Sequence, residues 1–444
     1  MRRLVAFVML AASAALAAAA QEPTQSDIAT AAQRQQAVTE LARLLRARYC
    51  TAEGAEKAAA LVERRLRDGA YDALADDQAF ADAVTADLRA ATSDRHLRFG
   101  VAPRPEPTAA AAAPAPPADP GAERATWLAN VRRGNYGLPR AEVLPGNVGL
   151  LEVRRFQPPD LAGDTVVAAI GFLANVDAVI VDVRNARGGS AHMMPLFAGY
   201  FLEKPTSLFD MEFRGDDFTE RFWTLAYLPG KRLAQVPMYI VTSAYTFSGA
   251  EGFAYRFQVL KRATIVGETT GGGANAGGVL DVAPSFHVFM PMGRPVDRDT
   301  GGNWEGVGVV PDVPAAARDA AAVAHVEALK ALLAGATTDG DRARVGWAME
   351  RAQARLHPVS PTAADLERLA GSYGPYRVWV EGGQLRSQRA DEAPFLLVPL
   401  SASVFASETN DPVRLEFLAS RDGRPASLRF TDGDGRSEEA ARLD

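Results

Sequence analysis

The segment Val241-Thr242-Ser243-Ala244-Tyr245-Thr246-Phe247-Ser248-Gly249-Ala250-Glu251 joins the end of an apolar, strand-like run to the start of a helix-like one. Ser248 therefore falls at a helix N-terminus, where unbonded N–H groups and the helix dipole favour developing negative charge. A serine so placed has the chemistry to attack a carbonyl, with the N–H of Gly249 stabilising the oxyanion. The spacing Ser248-x-x-Glu251 is also that of a helix capping box, so the segment alone supports either a nucleophile or a cap. A second segment, Val181-Asp182-Val183-Arg184-Asn185-Ala186-Arg187-Gly188-Gly189, follows another apolar run and ends in two glycines ahead of a helix. Glycines let a loop turn its N–H groups inward at close approach, so Gly188 or Gly189 would supply a second oxyanion donor; a plain strand-to-helix turn has the same composition. Both loops follow strands and precede helices, which puts them on the same carboxyl edge of a sheet.

Taken in order, Asp182-Val183-Arg184-Asn185-x-x-Gly188-Gly189, Thr246-Phe247-Ser248-Gly249-Ala250-Glu251, Gly267-Glu268-Thr269-Thr270-Gly271-Gly272 and Gly306-x-Gly308-Val309-x-Pro311-Asp312 resemble the C-terminal processing (tail-specific) and tricorn core serine peptidases, over residues 147–313. The most similar branch is the one shared with interphotoreceptor retinoid-binding protein repeats, which opens with a helical bundle ending in Asp-x-His and lacks an obvious inserted PDZ domain. The resemblance implies a crotonase-like (ClpP/crotonase-type) α/β core and an endopeptidase that cuts polypeptides, often near a C-terminus, through an acyl-enzyme on Ser248. Dyad-type members carry their base, a lysine, in the loop after Gly-Glu-x-Thr. The matching position here is Gly273, and none of Lys57, Lys204, Lys231, Lys261 and Lys330 lies in that loop.

The tricorn-like alternative is a histidine with a glutamate. His96, in Asp94-x-His96, matches the position where the resemblance places the base, and a histidine suits proton transfer from serine near neutral pH. Glu305, in Asn303-Trp304-Glu305-Gly306, would then fix the imidazole tautomer and stabilise the imidazolium. His192, just past Gly188-Gly189, stays open as a rival base, and Glu251 as an auxiliary group. His287 reads as a structural residue of a strand, His325 and His357 as surface residues of later helices, and Asp182, Arg184 and Glu268 as structural anchors. The reaction requires neither a metal nor an organic cofactor. The alternative on the same fold is a non-catalytic retinoid- or lipid-type binding protein; a crotonase-type acyl-CoA enzyme has only analogy of fold behind it.

These residues need a scaffold. Apolar residues recur at helical spacing early in the chain, as in Val38, Leu41, Leu45 and Tyr49 and in Phe80, Val84 and Leu88. They predict a bundle of about three helices over residues 21–100. Residues 101–124 are almost wholly Ala, Pro and acidic, an extended linker in which Pro103 to Pro120 block helix and ladder alike. Residues 125–315 alternate: strands at 148–156, 176–183, 236–242 and 263–267, helices at 165–174, 193–202 and 249–260, a hairpin around Gly215, and strand-like runs at 279–282 and 286–290. Such alternation predicts βαβ units and a mostly parallel sheet covered by helices. Alanine-rich helices fill 316–357. Beyond Pro358, short strands divided by Gly382-Gly383, Asp422-Gly423 and Asp432-Gly433 predict a small β sandwich or barrel over 358–444.

The 444 residues are 48% apolar and 23% charged, an ordinary globular composition that excludes a disordered or collagen-like chain. The single cysteine, Cys50, cannot form an internal disulfide and has no zinc-ligand cluster to join. A net charge of −6 argues against nucleic acid or an anionic membrane as the main partner. Arg2 and Arg3 precede an apolar, alanine-closed run to Ala20. That pattern is a secretory signal peptide over residues 1–20. The mature chain is thus expected to be exported, periplasmic or extracellular, with no integral membrane segment and a polypeptide as substrate; whether it forms an oligomer stays open.

Overall fold

The computed structural model describes residues 29–102, 120–407, 413–419, 423–432 and 435–443; the expected signal peptide and most of the 101–124 linker lie outside the described residues. Three helices come first, α1 (Ala31–Arg48), α2 (Ala52–Arg67) and α3 (Asp77–Thr92). Their starts follow from local chemistry: Thr30 and Gln33 form a capping box, Thr51 accepts from the Gly54 N–H, and Asp76 accepts from the Ala79 N–H. The expected apolar stripe points inward, with Val38, Leu41, Leu45, Phe80, Val84 and Leu88 fully buried. Each such side chain contributes about 1.5–3 kcal/mol. The bundle does not close on itself, because its core is continuous with Val282, Phe286, Val288 and Met290 from the middle of the chain. α3 ends at Ser93 in the left-handed region, φ 59°, and the chain then turns through Asp94 and His96 into β1 (Arg98–Val101).

α4 (Pro120–Arg133) overlaps the predicted linker. Pro120 starts this helix instead of blocking one, since at the first helical position a missing N–H and a fixed φ carry no penalty. There follow β2 (Arg140–Leu144), β3 (Val148–Glu152), α5 (Pro159–Phe172), β4 (Ala178–Asp182), α6 (Met194–Gly199), β5 (Ser207–Phe213), β6 (Phe218–Trp223), β7 (Met238–Thr242), α7 (Gly249–Val259), β8 (Thr264–Gly267), β9 (Ala276–Ala283), β10 (Phe286–Val296) and β11 (Val313–Pro314). One sheet has the order β11-β8-β7-β4-β3-β2, parallel throughout except for β2 at its edge. β4 and β7 are buried along their whole length, which is why they read as continuous apolar runs without alternation.

The alternation pattern predicts one sheet; the structure has a second beside it. β1, β10, β5 and β6, with β9 on β10, pair antiparallel. β9 and β10 have only two residues between them, too few for a crossover, so they form a hairpin. α8 (Ala320–Gly335) and α9 (Asp339–Leu356) cover the parallel sheet through Ala324, Leu329, Val345 and Ala348. His325, expected at the surface, is buried here with its Nε2 2.9 Å from the Pro145 carbonyl, because α8 is enclosed on more than one side.

After α10 (Ala363–Leu369), strands β12 (Gly371–Tyr373), β13 (Tyr376–Glu381), β14 (Gln384–Arg389), β15 (Phe395–Pro399), β16 (Val404–Ser407), β17 (Arg414–Ala419), β18 (Pro425–Thr431) and β19 (Ser437–Ala441) form an antiparallel meander. The Gly374 N–H donates to the Ala441 carbonyl and the Leu443 N–H to the Ser372 carbonyl. The last strand thus meets the first at one end, through an isolated bridge between Tyr373 and Arg442, in a barrel-like sheet. Among the described residues no helix is long and apolar enough to cross a membrane.

Candidate active site

Ser248 occupies the turn between β7 and α7 at φ 58°, ψ −130°. Side chains rarely adopt that region, at a cost of about 1–3 kcal/mol, and the surroundings must hold it there. The Phe247 N–H donates to the Ala186 carbonyl at 3.0 Å and the Gly271 N–H to the Thr246 carbonyl at 2.9 Å, clamping the residues just before it. The Ser248 N–H donates to Glu251 Oε2 at 2.7 Å, and the Glu251 N–H to the Ser248 carbonyl at 2.8 Å. Glu251 does more than cap. Its buried carboxylate also accepts from Thr270 Oγ1 at 2.5 Å and from the N–H groups of Gly272 and Gly273 at 2.6 and 2.9 Å. Burial raises its pKa against the pull of these donors.

Gly188 and Gly189 have φ of 84° and 142°. A Cβ on Gly188 would lie 2.7 Å from the Gly249 nitrogen and 2.8 Å from Ser248 Cβ, so only glycine lets this loop approach so closely. The loop is pinned on its far side, where the Phe156 N–H donates to the Gly188 carbonyl at 2.9 Å and the Ser190 N–H to the Phe156 carbonyl at 2.7 Å. Among the described residues the N–H groups of Gly189 and Gly249 have no main-chain acceptor, which leaves two donors from two loops beside Ser248.

His96 comes from the bundle. Its N–H donates to Asp94 Oδ1 at 2.9 Å, an Asx turn that sets the ring's direction. The ring lies 4.5 Å from Phe247 and 5.9 Å from Phe289, centroid to centroid. Asp94 is fully buried and also accepts from Tyr49 Oη at 3.0 Å and Asn275 Nδ2 at 2.9 Å. Glu305 Oε2 accepts from the N–H groups of Ala274 and Asn275 at 2.6 and 3.0 Å. One side-chain atom each of Asp94, His96 and Glu305 lies within 4.8 Å of the others. His96 Nδ1 and Glu305 Oε1 are buried and both still lack a hydrogen-bond partner. The two groups expected to pair thus stand adjacent with bonding capacity left on each; such bonds commonly tighten only with substrate bound. Burial lowers the His96 pKa more than Asp94 raises it, and Arg187 and Arg89 lower it further. Burial and the charge of Asp94 push Glu305 up to about 7.

Position 273, where dyad-type members carry lysine, has no room for a side chain here. A Cβ on Gly273 would lie 2.2 Å from Phe247 Cζ and 2.9 Å from His96 Cε1, so Phe247 and His96 fill the volume that a side chain at 273 would need. His192 is not brought to Ser248. It is exposed, with Nε2 3.1 Å from Glu220 Oε1 and its ring edge-on to Phe222. The expected anchors behave as such: Arg184 pairs with buried Asp182 and donates to the Ala317 carbonyl, and Glu268 accepts from the N–H groups of Ala244 and Ala317. An apolar pocket opens beside Ser248, walled by Met194, Leu208, Phe253, Phe257 and Trp304. Sequence reasoning gave no role to Asp94, Asn275, Tyr49 or Phe247; only the Asp94-x-His96 spacing, that of an Asx turn, carried a local signal.

A strained serine with unspent amides on one side and an imidazole near two carboxylates on the other can carry out acyl transfer. The class is that of the serine-type peptidases. Residues 147–315 match the model of peptidase family S41, and residues 15–126 match that of the N-terminal domain of these peptidases in eukaryotic IRBP. Among solved structures it is similar to a lipoprotein from Streptococcus agalactiae, at 17% identity and TM-score 0.40 over 64% of this chain and 92% of that one. It is similar also to the photosystem II D1 C-terminal processing protease, at 16% and 0.39 over 64% and 93%. The tricorn protease matches at 18% and 0.28 over 51% of this chain and 19% of its own.

Proposed function

We propose that this chain is an exported endopeptidase that hydrolyses polypeptides in the tail-specific, tricorn-like manner through an acyl-enzyme on Ser248, on a core of crotonase type. The supporting observation is the meeting of three separate segments: Ser248 and Gly189 line one apolar pocket, and the His96 ring lies 4.5 Å from that of Phe247, the residue before Ser248. His96 takes the Ser248 Oγ proton as Oγ attacks the peptide carbonyl. The carbonyl oxygen becomes an oxyanion facing the N–H groups of Gly249 and of Gly189 or Gly188; one such donor contributes about 10²–10³-fold in rate. Glu305 meets His96 Nδ1 and stabilises the imidazolium, while the lowered His96 pKa keeps the resting ring neutral and ready to accept a proton. His96 then protonates the leaving amine as the C–N bond breaks. Water, deprotonated by His96, hydrolyses the ester and frees Ser248. The apolar pocket suits an apolar side chain next to the scissile bond.

The test is labelling with a fluorophosphonate probe, followed by digestion of a peptide library. An adduct on Ser248, lost together with cleavage in Ser248→Ala, is the expected outcome; folded protein that takes up no probe would sink the reading. Export is tested separately by the N-terminus of secreted protein, expected at Gln21. The same pocket favours a second reading, an apolar-ligand carrier of the retinoid or lipid class. In that case a fluorescent retinoid binds saturably, Ser248→Ala binds it as well, and no peptide is cut.

A further inference from the structure

Two buried atoms of the site have no hydrogen-bond partner, His96 Nδ1 and Glu305 Oε1. A third group completes a set with them. One side-chain atom each of Asp94, His96 and Glu305 lies within 4.8 Å of the other two, the one such meeting of three His, Cys, Asp or Glu side chains among the described residues. No lysine or arginine among the described residues bonds to either carboxylate, whose partners are Tyr49 Oη, Asn275 Nδ2 and main-chain N–H groups. By contrast, buried Asp182 and Asp297 each have an arginine, Arg184 and Arg256. Asp94 and Glu305 thus bring two carboxylates together beside an imidazole alone. Both are oriented from behind, as metal-binding carboxylates are. Asn275 serves the two at once, its side chain on Asp94 and its N–H on Glu305 Oε2, while Oε1 stays free. Phe247 and Phe289 give the imidazole an apolar wall. Glu305 lies far downstream of Asp94-x-His96, so the trio has no spacing signature in the sequence.

We propose that Asp94, His96 Nδ1 and Glu305 form a zinc site whose occupation switches the peptidase off. This rests on the reading of His96 as the base. One imidazole nitrogen and two carboxylate oxygens are a zinc donor set, and three protein ligands leave the fourth tetrahedral position to water. Calcium and magnesium take six or more oxygens and find too few here. At zinc–ligand lengths of about 2.0–2.2 Å, tetrahedral ligand atoms stand about 3.3–3.6 Å apart, so the trio closes on the ion by shifts of about 1 Å. His96 and Glu305 are half-buried as residues, which leaves an ion a route from solvent. The effect on the reaction follows from the tautomer. Zinc takes the lone pair of Nδ1, so the neutral ring must carry its proton on Nε2. A protonated Nε2 has no lone pair for the Ser248 Oγ proton, and a Glu305 bound to the metal no longer supports an imidazolium. Removing the ion restores both groups. The metal is an inhibitor and takes no part in the cleavage itself.

Zinc titration by calorimetry, on the full chain after chelator treatment, reads the site; peptide cleavage and fluorophosphonate labelling of Ser248 read the switch. The wild type should take up one zinc at this site. Its affinity should fall at least about tenfold in Glu305→Gln and in His96→Gln, each compared at a circular-dichroism spectrum equal to that of the wild type. It should stay unchanged in His192→Ala, which removes the exposed His192–Glu220 pair. Cleavage and labelling should fall together in proportion to zinc occupancy, return with EDTA, and ignore calcium and magnesium at the same concentration. Zinc that binds Glu305→Gln as tightly as the wild type, or that fills the wild type without slowing cleavage, would overturn the proposal and leave the peptidase reading standing. If the wild type neither cuts nor labels, zinc binding weakened tenfold in Glu305→Gln keeps the metal site, and the peptidase reading falls instead.

Discussion

Asn275 donates from its side-chain amide to Asp94 at 2.9 Å, a bond between residues 181 positions apart that ties the loop beside Glu305 to the turn that carries His96. Asn275→Ala leaves a fully buried carboxylate with one donor fewer. The expected loss of stability is about 1–3 kcal/mol, read by urea unfolding. Because His96 hangs from Asp94, kcat should fall more than KM rises. A variant that loses stability but keeps kcat would detach this bond from the chemistry.

Gly273→Ala tests the packing around the base. The loop main chain is held by the Gly273 N–H on Glu251 and by the Trp304 Nε1–H on the Gly273 carbonyl at 2.9 Å, so the added methyl must displace Phe247 or His96. A shift of about 1 Å at a reacting group costs about 100-fold in rate. We expect that loss in kcat with an unchanged circular-dichroism spectrum.

Stability and activity should move in opposite directions with pH. The folded pKa of Glu305, about 7, stands above its ordinary 4.5, so between these values the folded chain holds a proton that the unfolded chain has released. The stability linked to that proton is complete below the unfolded value and is lost as pH rises through about 7. Glu305→Gln removes the loss and should be more stable than wild type at alkaline pH, by up to about 3 kcal/mol in denaturant titrations. The wild-type kcat/KM should instead rise with pH through about 7, since only ionised Glu305 stabilises the imidazolium; the variant should lack that limb.

Glu251→Gln separates a cap from a hub. Every oxygen of Glu251 accepts from two donors, so a glutamine must turn an NH₂ group against N–H or O–H groups. A lost cap costs about 1 kcal/mol, whereas stranded buried donors cost about 1–3 kcal/mol each. We expect the larger figure in thermal unfolding, together with slower fluorophosphonate labelling of the folded fraction. A change no greater than a lost cap would reduce Glu251 to that role.

Legibility in the sequence followed contact range. Ser248, Gly188 and Gly189 could be read because a strand end, a helix start and a positive-φ glycine are local matters. The bundle helices and the parallel sheet were equally local in their periodicity. Asn275 and Tyr49 could not be read, because a buried carboxylate's partners come from distant segments and leave no pattern of their own. The same holds for His325, whose burial depends on what covers α8 rather than on α8. The second sheet was hidden because β10 serves three strands at once, β9 adjacent in sequence and β1 and β5 far upstream.

That ladder has a consequence in time. β1, just after His96, is paired along its whole length with β10, and Glu305 follows later still. At synthesis rates of about 5–20 residues per second, the proposed base waits on the order of ten to forty seconds for the strand that seats it and the acid that faces it. During that interval a growing chain has its histidine without a fixed position. On the proposed mechanism, the cutting centre is complete only once Glu305 has been made, so an unfinished chain lacks it.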